Sequence, residues 1–226
     1  TQNEAASDQF TKDMELYGQT VIDGKREALI GYRQELWDGS EGFDRRLVIR
    51  LFSETLSWRG TAEMLLGRSM QLSLAAGGQP VPVFSINLAR HKQLIQLERC
   101  AVNFPFMPEK YSFFIQGKES AKFYTLRRHM ISFGADYSLY DHKGRKIGVL
   151  DHQLVNLGGA WMVRIDPEHR TRQLEAVLEL FCAVLKFNRA SKSHVRKLSE
   201  QVLRGKVIAD LDHEEEDLYL NPRSRR

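Results

Sequence analysis

Cysteine is too scarce in this sequence for two classes of small protein. The 226 residues include only Cys100 and Cys182, which lie far apart and have no cysteine near them. Disulfide-stapled domains and structural zinc sites need closely spaced cysteines, so neither is predicted. Free cysteines are typical of a reducing compartment, and we therefore expect a cytoplasmic protein.

Long apolar runs are also missing. No stretch reaches the eighteen or so consecutive apolar residues that a membrane-spanning helix needs. The polar start Thr1-Gln2-Asn3-Glu4 has neither the apolar run of a signal peptide nor the basic character of a transit peptide. Hydrophobic residues make up 42% of the chain, which is typical of soluble globular proteins. We expect a soluble protein with no transmembrane segment.

The sequence has no recognisable catalytic signature. No glycine-rich phosphate loop precedes a helix pattern, and neither a nucleophile elbow nor a His-Glu-x-x-His helix occurs. Asp-His pairs stand at 141–142, 151–152 and 212–213. Neighbouring residues of a strand point to opposite faces, so such a pair does not converge on one ion. We expect no enzymatic activity, no metal ion and no other cofactor.

The charge is only mildly basic. There are 33 Lys and Arg against 29 Asp and Glu, a net charge of +4. That excess permits an anionic partner without requiring one.

An internal repeat is the clearest positive feature. A shift of 24 residues places 126–134 on 150–158 and Tyr137 on Trp161, with apolar positions and glycines coinciding. In each unit a short apolar run ends in glycine and is followed by residues of alternating character, as in half-buried strands. Within YDHKGRKI, Asp141 and Gly144 are placed to open and close a tight hairpin turn. The repeat predicts a β-meander.

A buried helix is predicted after the meander, over residues 173–187. The segment QLEAVLELFCAVLKF is apolar on almost every side of a helical wheel, a pattern typical of buried helices. A membrane span is the competing interpretation, but the run is short and is broken by Glu179 and Lys186. A helix sheathed by strands fits better. Its core side chains would be Val177, Leu178, Leu180, Phe181, Val184 and Leu185, with Cys182 as a small buried apolar residue.

Earlier strands are less legible. Residues 46–52 and 69–74 show partial alternation, and the turn-like segment 75–80 leads into 81–86. These three apolar segments are predicted to be strands of the same sheet.

Over residues 83–188 the chain resembles the tubby C-terminal-like superfamily. The order is a basic strand, then ISFGADYSLYDHKGRKIG, then LVNLGGAWMVRI, then an apolar helix. Among members of that superfamily, this order is most similar to LURP-one-related proteins. The upstream segment 90–115 is similar to phospholipid scramblases, in which an apolar strand ending in Glu-Arg leads through a loop to a strand.

The resemblance implies a fold that is mainly β with a buried helix. It would be a closed antiparallel β-barrel of about twelve strands around a central hydrophobic helix. Closure would remove exposed strand edges, and the helix would fill the lumen. We accordingly expect a barrel over 41–188 with the central helix at 173–187. An N-terminal extension over 1–40 and a charged C-terminal extension over 189–226 would be helical or flexible.

The resemblance also implies the binding of anionic lipid headgroups, such as phosphoinositides. Basic residues of the meander would form the site: Lys122, Arg127, Arg128, Lys143, Arg145 and Lys146. The competing interpretation is a solvated basic face of ordinary surface charge. If the six basic residues do bind headgroups, the partner is an anionic phospholipid, and the protein would be peripheral at a membrane surface.

A second functional class stays open, an adaptor or assembly subunit. The barrel would be a platform, and the terminal extensions, including the basic amphipathic segment 191–204 and the acidic run 214–217, would bind another protein. Nucleic-acid binding has only the basic character and interspersed aromatic residues in its favour, and no recognised motif supports it.

Overall fold

One antiparallel sheet of 11 strands dominates the molecule. The computed structural model describes residues 9–22, 24–101, 107–117, 120–130, 136–153 and 160–206. Spatial strand order equals chain order, so each strand pairs with its neighbours in sequence. The strands are β1 (Met14–Ile22), β2 (Lys25–Arg33), β3 (Val48–Ser53), β4 (Trp58–Met64), β5 (Val83–Leu88), β6 (Leu94–Arg99), β7 (Lys110–Gln116), β8 (Ala121–Arg128), β9 (Tyr137–Tyr140), β10 (Lys146–Gln153) and β11 (Ala160–Ile165). The helices are α1 (Gln34–Trp37), α2 (Leu66–Ala75) and α3 (Arg172–Leu203), and a 3₁₀ turn spans Pro167–His169.

The predicted meander is confirmed in strands β8 to β11. Leu126 pairs with Leu139, and Leu150 pairs with Tyr137 and Val163. The hairpin turn between β9 and β10 is also as predicted, because Gly144 has a φ of 74° and donates its N–H to the Asp141 carbonyl. The glycines at 134 and 158, on which the repeat depends, lie outside the described residues.

The prediction of a strand at 69–74 is wrong, because these residues belong to α2. Leu66, Ser69, Met70 and Ser73 are buried at helical spacing on one face. Each serine hydroxyl donates to the carbonyl four residues back and accepts a backbone N–H from the following segment, that of Val83 at Ser69 and that of Val81 at Ser73. The hydrogen bonds of Ser69 and Ser73 therefore connect the helix to the start of β5.

Helix α3 is longer than predicted. It begins after Thr171, whose hydroxyl accepts the N–H of Leu174, and it runs for 32 residues. The predicted helix 173–187 and most of the amphipathic segment 191–204 form one continuous helix. Of the predicted core side chains, Val177, Leu178, Leu180, Phe181 and Val184 are buried, whereas Leu185 and Cys182 are partly buried against the core.

The sheet curves around α3. Successive helix residues point about 100° apart. Glu179 faces Arg59 of β4, Phe181 packs its ring on Tyr111 and Tyr137 of β7 and β9, and the Ala183 carbonyl accepts a hydrogen bond from Tyr17 of β1. Strands from both halves of the sheet thus reach the helix on different sides. In the residues that the structure describes, β1 and β11 pair with one neighbour each, so closure into a barrel is not seen.

The sheet begins inside the segment predicted as an N-terminal extension. Within 1–40, β1 and β2 pair over eight positions, and Ala28, Ile30 and Tyr32 point into the core. Their alternation in β2 is the signal that the sequence held for this strand. At the other end, residues 189–203 of the predicted C-terminal extension continue α3 and pack on α2, where Ser199 lies against Met70. Residues 207–226 lie outside the described part.

Candidate functional site

The strands of the sheet have different connections at their two ends. At one end of the strands lie the β3–β4, β5–β6 and β9–β10 turns and the β11–α3 connection. Because these connections are short, we call this end the turn edge. The opposite edge, which carries α1 and α2, is the helical edge. Helix α3 enters the fold at the turn edge and ends beyond the helical edge.

The six predicted headgroup residues divide between the two edges. Lys122 is the second residue of β8, while Lys143, Arg145 and Lys146 lie in and after the β9–β10 turn, and all four are exposed at the turn edge. Arg127 and Arg128, also exposed, end β8 at the helical edge. At about 3.3 Å per strand residue, roughly 17–20 Å separates them from Lys122 along the strand. The structure therefore does not bring the six residues together.

Within the turn-edge group, Arg145 is already engaged. Its guanidinium Nε lies 2.9 Å from the carboxylate of Asp141. Burial alone would raise the pKa of Asp141, but hydrogen bonds from the backbone and side chain of Arg145 and from the Lys143 N–H hold that pKa below its usual value. Asp141 thus stabilises the turn and neutralises Arg145. Lys122, Lys143 and Lys146 make no ion pair in the described parts of the chain.

An exposed aromatic pair includes Phe123, which follows Lys122 in β8 and points to the opposite face of the sheet. Phe114 of β7 and Phe123 of β8 are directly opposite one another on the outer face of the sheet. Their exposures are 44% and 46%, large for phenylalanine. Sequence reasoning did not single out this pair, because its outward orientation depends on the register of β7 against β8.

Arg127 lies on the same outer face at the other end of β8. Its guanidinium carbon is 4.7 Å from the ring centre of Tyr140, a cation–π contact that holds the side chain against the sheet. Its direct partner on β7 is Lys110, and its direct partner on β9 is Ser138. Two cations therefore stand opposite each other on neighbouring strands.

A buried carboxylate near Arg128 was not predicted. Glu109 accepts hydrogen bonds from Arg99 at 2.7 Å, from Lys192 and Asn188 at 3.0 Å, and from Tyr137 at 2.8 Å. Burial alone would raise the pKa of Glu109, but Lys192 and these hydrogen bonds lower it to about 2. Glu109 thereby joins the sheet to α3 at the helical edge. No local pattern marks it, because its partners come from residues 10 to 83 positions away.

A second buried glutamate lies on α3 near the turn edge. Glu179 has a side chain that is only 10% exposed, and its Oε2 accepts no hydrogen bond. Its nearest cation is Arg59, whose guanidinium nitrogen is 3.9 Å away. Burial raises the pKa of Glu179 to about 7, against the opposing influence of Arg59 and with help from Glu175 and Glu27.

A shallow cleft of about 490 Å³ opens elsewhere on the turn edge, between the β1–β2 and β3–β4 connections. Its walls carry both charges, and Arg26 pairs with Glu54 across it at 2.9 Å. None of the six predicted headgroup residues lines this cleft. Its mixed charge gives no preference for an anion.

The described residues contain neither a metal-binding cluster nor a membrane-spanning helix. Within them, no three His, Cys, Asp or Glu side chains are grouped to hold a metal ion. No helix there is long and apolar enough to cross a membrane. Both cysteines are free, and burial raises the pKa of the Cys182 thiol well above its usual value, so this thiol stays protonated.

Comparison of the chain with protein-family models, with curated proteins and with solved structures finds no match.

Proposed function

We propose that this protein is a non-catalytic module that binds anionic membrane surfaces through the turn edge of β7 to β10. One observation carries the proposal: Lys122, Lys143 and Lys146, none of them in an ion pair among the described residues, lie at the same ends of the strands as the exposed pair Phe114 and Phe123. Aromatic side chains suit the lipid headgroup region, and lysines are attracted to anionic lipids.

Two weak attractions would add at this surface. Each lysine near an anionic membrane contributes about 1 kcal/mol at low salt, and the contribution falls as salt screens it. A fully buried phenylalanine contributes about 1.5–3 kcal/mol, and partial insertion contributes less. Reversible attachment is therefore expected, because stable membrane binding generally needs an apolar and an electrostatic contribution together.

The fold supports this proposal by giving the surface a rigid base. We propose that the curved sheet is a tubby-like barrel around α3, as the LURP-one-related resemblance implies. The sequential antiparallel strands and the helix that strands contact on several sides favour this architecture. In such a barrel, loops and strand ends can hold phosphate-binding groups without a catalytic centre.

Co-sedimentation with vesicles tests the proposal. Binding is expected to vesicles that contain phosphatidylserine and not to neutral phosphatidylcholine vesicles, and to fall as salt rises. Lys122→Gln with Lys143→Gln and Lys146→Gln should abolish it. Phe114→Ser with Phe123→Ser should weaken it even at low salt.

A matched control removes the same charge elsewhere. Arg189, Arg196 and Lys197 are exposed on α3, and their replacement by glutamine changes the net charge equally. Equal loss of binding in both triple variants would show that only net charge matters and would contradict the proposed surface. Absence of binding at low salt would reject membrane attachment altogether.

One observation favours an adaptor as the second candidate. Strand β1 pairs only with β2 among the described strands, and it exposes Leu16 and Val21 to 43% and 52%. An edge strand with exposed apolar side chains can accept a protein segment as an added strand. For this candidate, Leu16→Ser with Val21→Ser would abolish partner binding, and the lysine triple variant would leave it intact.

A further inference from the structure

A row of polar side chains crosses the outer face of the sheet at the helical edge. Lys110, Arg127 and Ser138 are directly paired residues on β7, β8 and β9. Their neighbours Tyr111, Leu126, Tyr137 and Leu139 are buried, so the alternation of the strands directs Lys110 and Arg127 outward. In the described part of the chain, neither cation lies within ion-pairing distance of a carboxylate.

Opposed like charges are unfavourable on neighbouring strands. Side chains of directly paired residues have Cβ atoms only about 4.5–5.5 Å apart, and two cations there repel each other. A third basic residue of the same face, Arg164 of β11, differs because Asp151 lies 3.6 Å from it. Among the described residues, no carboxylate offsets the charges of Lys110 and Arg127 in the way that Asp151 offsets the charge of Arg164.

Hydroxyl-bearing residues neighbour this cation pair in the sheet. The next row toward the turn edge pairs Ser112 with Thr125, and the Thr125 side chain is buried. The Ser138 hydroxyl is held by the His129 ring nitrogen at 2.7 Å, and Arg127 is held over Tyr140. Arginine offers a planar set of donors to an oxyanion, lysine a point charge, and hydroxyls further donors.

We propose that Lys110 and Arg127 together bind a phosphomonoester dianion on the outer face of the sheet. A dianion would neutralise both cations at once, whereas a chloride ion would neutralise only one. The site goes beyond the proposed membrane function, because about 17 Å of strand β8 separates Arg127 from Lys122. The phosphate could belong to a soluble molecule or to a lipid headgroup, and the two sources can be distinguished.

Calorimetric titration tests the site with inorganic phosphate and with glycerol phosphate, at ionic strength held constant with chloride. The intact protein should bind both, and Lys110→Gln or Arg127→Gln should weaken binding roughly tenfold or more, as the loss of a charge-assisted contact predicts. Arg127→Lys should retain part of the affinity. Arg164→Gln removes the same charge and should bind as the unmodified protein does.

Thermal unfolding adds a readout that does not need tight binding. Without phosphate, Arg127→Gln should melt at the same or a higher temperature than the unmodified protein, since repulsion from Lys110 is relieved. Phosphate should raise the melting temperature of the unmodified protein and leave that of Arg127→Gln unchanged. An equal phosphate response in Arg127→Gln and Arg164→Gln, or no phosphate response in the intact protein, would overturn the proposal.

Vesicles containing phosphatidic acid, a lipid phosphomonoester, identify the source. The two kinds of vesicle, with phosphatidic acid or with phosphatidylserine, are prepared with equal surface charge. Stronger binding to the phosphatidic acid vesicles that is lost in Arg127→Gln would assign the site to a lipid headgroup. Phosphate binding in solution without that preference would assign it to a soluble phosphomonoester. The lysine triple variant of the turn edge separates the two proposals, because it should lose phosphatidylserine vesicles and keep phosphate binding.

Discussion

Two largely buried glutamates lie at α3, Glu179 near its start and Glu109 against its middle, and they are stabilised in opposite ways. At the helical edge, Glu109 receives hydrogen bonds from two cations, a tyrosine and an asparagine, and its pKa is lowered to about 2. Near the turn edge, Glu179 has an oxygen with no hydrogen-bond donor, and its pKa is raised to about 7. Burial is similar, so the difference lies in the donors.

The comparison shows that the supply of hydrogen-bond donors decides whether a buried glutamate stays charged. A buried carboxylate can stay charged only where donors replace the lost water, and those donors must come from several elements at once. At Glu109 they come from β6, β9 and α3, which locks the helix to the sheet. Glu179 has only a distant arginine, so proton uptake near neutral pH relieves its charge instead.

The largest expected effect is at Glu109. Glu109→Ala leaves Arg99 and Lys192 without their carboxylate, and loss of one partner of a buried ion pair costs about 3–5 kcal/mol. We expect a destabilisation in this range by urea denaturation near pH 7. Glu98→Ala is the control, since Glu98 is a half-buried neighbour whose nearest arginine is 3.9 Å away, and its effect should stay below about 1 kcal/mol.

Acid titration sharpens the same point. The folded pKa of Glu109 is below the unfolded value, so its stabilisation is present above about pH 4.5 and is lost as the pH falls toward about 2. The stability difference between the unmodified protein and Glu109→Gln should therefore shrink over that window. A difference that is constant from pH 6 to pH 2.5 would show that Glu109 is not charged through this network.

The intermediate effect has the opposite sign. Glu179→Gln removes a charge that is unfavourable when buried, so it should stabilise the protein by at most about 3.4 kcal/mol at pH 8. The folded pKa is raised to about 7, and stability of the unmodified protein should therefore decline as the pH rises from about 4.5 through 7. In denaturation experiments the gain should shrink as the pH falls and vanish below about pH 4. Destabilisation at pH 8 would mean that the carboxylate has partners that offset its burial.

The smallest effect probes the outer part of the Glu109 network. Tyr111 donates to Asn188 at 2.9 Å, and Asn188 in turn donates to Glu109. Tyr111→Phe keeps the buried ring and removes one hydrogen bond, so a loss of about 1 kcal/mol is expected. Combined with Glu109→Ala, its effect should be smaller than alone, because the two changes act on one network. Additive losses in this double-mutant cycle would separate Asn188 from the network.

Much of the sheet could be predicted because its signals are local. The Asp141 to Gly144 turn depends on residues within one hairpin, and the alternation around Leu139 and Leu150 depends on single strands. The buried helix could equally be predicted, since apolar residues occupy almost every side of the helical wheel from 176 to 187. The prediction of a strand at 69–74 failed because Ser69 and Ser73 interrupt the apolar pattern of a buried helix face. Their hydroxyls accept hydrogen bonds from the segment that leads into β5, and no local rule predicts these contacts.

The candidate sites could be predicted only as a list of basic residues. Sequence identified Arg127 and Lys122 as cations of one strand, but it could not assign them to opposite edges or choose their neighbours. Lys110 became relevant only through its register with Arg127, and Phe114 only through its register with Phe123. Strand pairing is a long-range property, and a shift of one residue would turn every one of these side chains to the other face.

By itself, the sequence determined an antiparallel β-protein with a buried helix, because turn residues, alternation and apolar content act over a few neighbouring residues. Only the tertiary structure decided that the first strands lie at 14–33, that α3 continues to Leu203, and that Glu109 is charged while Glu179 is easily protonated. These outcomes depend on which distant groups replace water around a side chain, and chain folding alone brings those groups together.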